Sequence, residues 1–272
     1  MENLCEGEPT YQFKELKKLI LEREENNIQH FSMQKESGFS KLILKINELE
    51  IEFIPVTGSL FNMGNKEGDD DEKPLHMVRV KDFYIGKTEV TQELYRTIMK
   101  KNPSEFNCDF CPVERVSWLD TQEFIKKLNQ ITGLKFRLPS EAEWEFSAKG
   151  GKKSKRFDYS GGNEINKIAW NASNSSGRSH PVSEKEPNEL GISDMTGNVW
   201  EWCQDWYEPD YYQFSPKNNP VNTNLGSSRV LRGCSWRNNE DKCRVTYRFG
   251  YSPTDRRSNV GFRLVLDYPL IK

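Results

Sequence analysis

The sequence predicts an α+β fold with a small antiparallel sheet, few helices and much ordered loop. Three observations carry this: short runs of alternating apolar residues early on, three capped segments with helical spacing, and an aromatic-rich stretch beyond residue 151 where neither period persists. A chain of 272 residues can bury the substantial core of one large domain. Its seven Trp, fifteen Phe and ten Tyr supply apolar surface that a disordered chain lacks.

From Phe13 through Leu16, Leu19 and Ile20 the spacing is helical, with the charges of KELKK and EREENN on the other faces. A short amphipathic helix is expected within 11–25. Residues 26–40 are polar and aperiodic and read as a connector, so 1–41 forms an N-terminal appendage and 42–272 the main domain. Leu42, Leu44 and Ile46, then Leu49, Ile51 and Phe53, alternate as two paired strands around Asn47-Glu48. HMVRVKDFYIG (76–86) is strand-like. Thr91 caps a helix bearing Leu94, Ile98 and Met99; Ser117 and Asp120 form a capping box before Phe124, Ile125 and Leu128, with Gly133 as the stop. Ser140 with Glu143 starts a third helix that ends at Gly150-Gly151. Beyond it, Trp170, Trp200, Trp202, Trp206 and Trp236 are expected to cover loop backbone and donate their N–H groups to carbonyls.

Lys and Arg number 39 against 41 Asp and Glu, a net charge of −2. That excludes nucleic acid and anionic membranes as partners, because such binding begins with charge neutralisation. No apolar run is long enough to span a membrane, and the polar, acidic N-terminus lacks a signal pattern. A cytoplasmic location follows, where most of the six cysteines stay thiols.

Several segments, in order and with matching spacing, resemble the formylglycine-generating enzyme (sulfatase-modifying factor) family. They are GSLFNMG (58–64), DEKPLHMVRVKDFYIGKTEVTQELY (71–95), PVERVSW (112–118), RLPSEAEWEFSAKGG (137–151), NELGISDMTGNVWEWCQDW (188–206), and RVLRGCSW with NVGFRLV (229–236, 259–265). The resemblance covers roughly residues 46–267 and implies a C-type-lectin-like fold. It implies one of several activities. Founding members oxidise a sulfatase cysteine to formylglycine with copper and oxygen, through two closely spaced cysteines after a GGS-aromatic motif. Relatives with an iron site make sulfur-containing histidine derivatives. Others bind ligands, among them products of diversity-generating retroelements.

In GCSW, Ser235 and Trp236 match the motif, but Cys234 stands where the family has glycine. The next cysteine, Cys243, sits in CRVTYR, a context of members lacking the oxidase, so neither catalytic position has a match. Cys234 and Cys243 could still converge on a cuprous ion, which favours two thiolates, or be buried structural thiols; copper is not expected. Cys108 and Cys111 form CDFC, a spacing for zinc or a redox pair, but no second ligand pair accompanies it, which favours loop cysteines or a local disulfide. His76 and His180 are each alone in their segments and read as satisfied surface histidines. The acidic run 68–72 reads as a solvated turn, and Glu141, Glu143 and Glu145 as capping and surface pairing.

By the same resemblance, TGNVWEW (196–202) holds a structural calcium through Thr196, Gly197, Val199 and Glu201; the alternative is that Glu201 caps or pairs within its loop. The segment 236–261 mixes Asn, Asp, Arg and Tyr, residues suited to recognition. In the family it borders the groove for substrate peptide or displayed ligand, which makes Trp202, Ser235, Trp236, Asn238, Arg248, Tyr251 and Asn259 candidates to line it. The reading is a non-catalytic domain binding a peptide, protein or polar ligand. Its alternatives are a copper-dependent protein-cysteine oxidase and an accessory module that docks a partner helix through 11–25.

Overall fold

A computed structural model describes residues 31–35 and 39–268; the amphipathic segment 11–25 and His30 lie outside the described residues. β1 (Phe31–Lys35), β2 (Leu42–Ile46), β3 (Leu49–Val56), β4 (Leu60–Met63), β5 (His76–Arg79) and β6 (Phe83–Gly86) precede the helices. α1 (Gln92–Met99) and α2 (Trp118–Thr132) follow, then β7 (Phe136–Arg137), α3 (Glu141–Ala148) and a single turn, α4 (Ile165–Ile168). β8 (Trp200–Trp206), β9 (Arg229–Arg232), β10 (Phe249–Tyr251), β11 (Val260–Gly261) and β12 (Val265–Asp267) complete the order. The main sheet runs β1-β2-β3-β6-β12-β7, a second runs β10-β9-β8-β11, and β4-β5 is a separate hairpin.

The β2–β3 hairpin follows the alternation in its sequence. Leu42, Leu44 and Ile46 are buried and face Phe53, Ile51 and Leu49 across the ladder, while Asn47 takes the left-handed turn position that asparagine tolerates. Two expectations need correction. Residues 31–35 belong to the sheet: Phe31 pairs with Ile46 and Lys35 with Leu42, so the connector is shorter than its polarity suggested. Only Phe31 and Met33 alternate there, too little for a strand signal. The 76–86 run is two strands in different sheets. At its break the Lys81 N–H donates to Asn219 and Asp82 accepts from Gly58; a Cβ on Gly58 would lie 2.3 Å from the Val80 carbonyl oxygen, so this close approach requires glycine.

The three helices start where their caps are. Thr91, Ser117 and Ser140 accept from the N–H groups of Leu94, Asp120 and Glu143, and the last two form capping boxes. Gly133 ends α2 in the left-handed conformation, and Gly150 follows α3. α1 and α2 press apolar faces onto the β2–β3 side of the main sheet, where Leu94, Ile98, Phe124 and Leu128 join Leu44 and Phe53 in one core. α3 differs. Every residue in it is buried, carboxylates included, so it passes through the interior between β4, β8 and β9.

Cysteine usage departs from the expectation of mostly free thiols, although a local bridge at Cys108 and Cys111 is one of the expected readings. Cys108–Cys111 and Cys234–Cys243 are disulfides, and Cys203 is the free thiol among the described residues. Among the described residues, no helix is long and apolar enough to cross a membrane.

The candidate recognition surface

The segment 233–263 is held from below by buried charge. Glu141 and Glu145, one turn apart on α3, share a face. Arg232 of β9 donates to Glu141 Oε1 and Glu145 Oε2, each at 2.7 Å, and to the Val245 carbonyl. Arg248 grips Glu141 through Nε at 2.6 Å and Nη2 at 2.9 Å, and reaches the Asp71 carbonyl. Lys149 completes the network on Glu145 at 2.6 Å. Burial alone raises the pKa of both carboxyls, and the adjacent cations more than reverse it, holding them below the ordinary range. These glutamates are therefore interior ion-pair partners, a correction to surface pairing; Glu143 caps its helix and pairs with Arg137 as expected.

Two candidate ligand contacts are thereby reassigned. Arg248 is 2% exposed and spends its guanidinium inside, and Trp202 is fully buried on β8 with its indole N–H on the Val116 carbonyl. Both are packing residues. Alternating residues of 247–251 explain the inversion: Arg248 points in while Tyr247, Phe249 and Tyr251 remain half-buried at the surface.

Ser235 and Asn259 are buried as well, but they brace the surface directly. Ser235 Oγ donates to Asn238 Oδ1 at 2.6 Å and accepts from the Asn259 side-chain amide at 3.1 Å; the Asn238 N–H returns to the Ser235 carbonyl. Trp236 donates its indole N–H to Ser258 and its backbone N–H to Asn198, and lies edge-on to Phe106. The Cys234–Cys243 bond, with both sulfurs buried, closes the loop between them. The turn thus clamps both ends of a segment whose Arg237, Asn239, Glu240 and Asp241 are exposed.

Beside that rim runs an aromatic row. Phe249 packs on Trp200 with centroids 5.8 Å apart, Tyr251 meets Phe249 edge-on at 5.0 Å, and Tyr247 lies 5.9 Å from Trp200. Lys242 sits over Tyr247 and Arg257 over Tyr251. Of the predicted lining residues, Trp236, Asn238 and Tyr251 are partly exposed here. Tyr247, Phe249 and Arg237 escaped individual notice, although the aromatic–Arg–aromatic–Gly–aromatic alternation carries the signal for the first two.

The candidate metal ligands are already engaged within the protein. Both Glu201 oxygens are engaged, by Arg263 at 2.6 Å each and by the Trp144 indole at 2.8 Å. The Thr196–Gly197–Val199 turn is bound to its surroundings through Gly197 N–H on Gly233 and Asn198 on His180. A set whose one carboxylate is already neutralised by arginine does not fit calcium. Nearby, Glu89 and Asp194 share that same arginine's field: burial, then Asp194, pushes Glu89 well above the carboxylate range, and burial pushes Asp194 to about 6. Among the described residues no three His, Cys, Asp or Glu are grouped to hold a metal. As a disulfide, Cys234 and Cys243 present no thiolate pair to copper.

Smaller expectations resolve similarly. In the acidic run Glu72 is fully buried against Arg244, whereas Asp70 stays exposed. His76 bonds the Pro74 carbonyl, and His180 stacks on Trp170 and bonds the Ser175 carbonyl. Trp202 and Trp236 donate to carbonyls as expected, while the buried Trp170 N–H has no partner.

Chaperone protein LppX of Paenibacillus barcinonensis is 32% identical over 238 residues, covering 69% of this chain and 81% of that protein. The formylglycine-generating enzyme of Streptomyces coelicolor is 28% identical over 289 aligned positions, covering 80% and 90%. Among solved structures, Treponema denticola variable protein 1 superposes with a TM-score of 0.73 at 30% identity, covering 82% of this chain and 98% of that one. The Sulfatase-modifying factor enzyme 1-like domain matches residues 45–268, so the chain belongs to the formylglycine-generating-enzyme (FGE-sulfatase) family.

Proposed function

We propose that this domain is a non-catalytic member of its family that binds a peptide or protein on the surface formed by residues 236–258. The observation that carries the reading is the division of labour within that segment. Buried groups (Ser235, Asn259, Arg248 and the Cys234–Cys243 bond) fix the backbone, and the side chains left outside are Arg237, Asn239, Glu240, Asp241 and the half-buried Tyr247 and Tyr251. Rigid aromatic faces ringed by adaptable polar groups lose little entropy on binding, which suits recognition. The likeness to a variable protein and to a protein described as a chaperone supports binding; the likeness to a formylglycine-generating enzyme supports the alternative, a copper-dependent oxidase.

The test has two arms. A random peptide library displayed on phage is selected on the immobilised protein and on its Arg237→Ala/Tyr251→Ala variant, both verified by melting. Enrichment on the first that falls at least ten-fold on the second supports the reading; equal enrichment on both overturns it. Oxygen consumption is then followed with Cu(I) and a sulfatase-motif peptide. Turnover that disappears in Cys234→Ser/Cys243→Ser would establish the oxidase instead.

A further inference from the structure

A second site lies away from this surface, between the β2–β3 hairpin and α1. It is a groove of about 510 Å³ whose floor is Leu49, Ile51, Val90 and Leu94, roofed by Val182 and Phe110. Leu49 and Ile51 are only partly buried, and Phe110 is 66% exposed, so apolar surface is left uncovered here. Glu48, Glu50, Glu52 and Glu93 line it with Lys87, Glu50 being paired with Lys45 and Glu52 with Lys41 and Lys87.

We infer that this groove is the docking site of the chain's own segment 11–25. Two observations converge on that occupant. The first is reach. Phe31 pairs with Ile46, which pairs with Leu49 at the groove's edge, so the chain enters the sheet two strand spacings, about 10 Å, from the groove. Residues 26–30 can extend by up to about 17 Å, which spans that gap. The second is shape: Phe13, Leu16, Leu19 and Ile20 fall on one face at helical spacing, an apolar stripe matching an apolar trough. The inference is independent of the recognition surface and stands whether or not that surface binds a peptide.

Hydroxyl-radical footprinting of the full chain reads the groove directly. With the segment docked, Ile51 and Phe110 are shielded, and Leu16→Asp/Leu19→Asp should speed their oxidation at least three-fold while residues such as Leu225, exposed and far from the groove, keep their rates. Leu49→Lys, which puts a charge on the apolar lining of the groove, should raise the Phe110 rate with the stripe intact. Unchanged rates at Ile51 and Phe110 in both variants overturn the inference. Light scattering in parallel decides the source of any shielding: a monomer supports docking within the chain, and a dimer that dissociates in Leu16→Asp/Leu19→Asp overturns it in favour of a second copy.

Discussion

The stretch 92–148 and the stretch 199–263 are folded by opposite means. In the first, each helix is begun by an oxygen three residues from the N–H it accepts, and α1 and α2 stay folded by pressing an apolar face on the sheet. In the second, strands are short and turns many, and the fixing contacts join residues far apart in sequence: Arg263 to Glu201 across 62 positions, Arg248 to Glu141 across 107. Where ladders are brief, buried charge and sulfur take over the positioning. α3 joins the two regimes, since its start is set locally by Ser140 while its inner face exists to meet arginines from β9 and the 248 turn.

The sharpest break should come from Arg232→Met. It strips a cation from two buried carboxylates and a donor from Val245, at a cost of about 3–5 kcal/mol, a fall in melting temperature of roughly 10 °C or more by thermal denaturation. Removing the Cys234–Cys243 link as Cys234→Ser/Cys243→Ser should cost about 2–4 kcal/mol, read by urea unfolding. Thiol titration of the native-purified, denatured chain checks its premise: among the described cysteines only Cys203 should react.

Glu114 sharpens the comparison through pH. Its Oε1 accepts from the N–H groups of Glu105 and Phe106, holding Phe106 against Trp236, while Oε2 is buried without a partner, and burial pushes the carboxyl up to about 7. A carboxyl raised in the folded state binds protons that the unfolded chain has released. Its stability is therefore greatest below the unfolded value near 4.5 and declines as pH rises from there through about 7. Glu114→Gln keeps both accepted bonds and should gain on the order of 1–3 kcal/mol at pH 8, flattening the melting profile between pH 5 and 8. In the locally built region, Ser140→Ala should cost only about 1 kcal/mol. Arg237→Ala on the exposed rim should stay within about 0.5 kcal/mol, and a larger loss by melting would show that the rim is structural.

These contrasts also explain what was legible. Thr91, Ser117 and Ser140 announce their helices because cap and helix are adjacent in sequence, and the Leu42–Phe53 hairpin declares itself by strict alternation. Glu141 and Arg248 were misread because their meaning depends on each other at a distance that no local pattern reports. β1 was missed because a strand of two alternating apolar residues is recruited by the edge of β2 and barely encoded by itself. At the candidate surface, motif resemblance singled out a segment, yet it could not separate inward from outward residues. Trp202 and Arg248 turned inward, and Tyr247 and Phe249, half-buried on the outer face, went unnamed.

The pairing of α3 with arginines far downstream also sets the order in which this domain can be made. Until Arg232 and then Arg248 have emerged, Glu141 lacks its cations and Glu145 has Lys149 alone, so a nascent chain ending before β9 cannot complete its interior. Contacts of such long sequence separation slow folding and prolong exposure of partly formed surfaces. The domain is thus expected to fold after synthesis rather than during it, and C-terminal truncations short of residue 248 to be captured by chaperones or degraded.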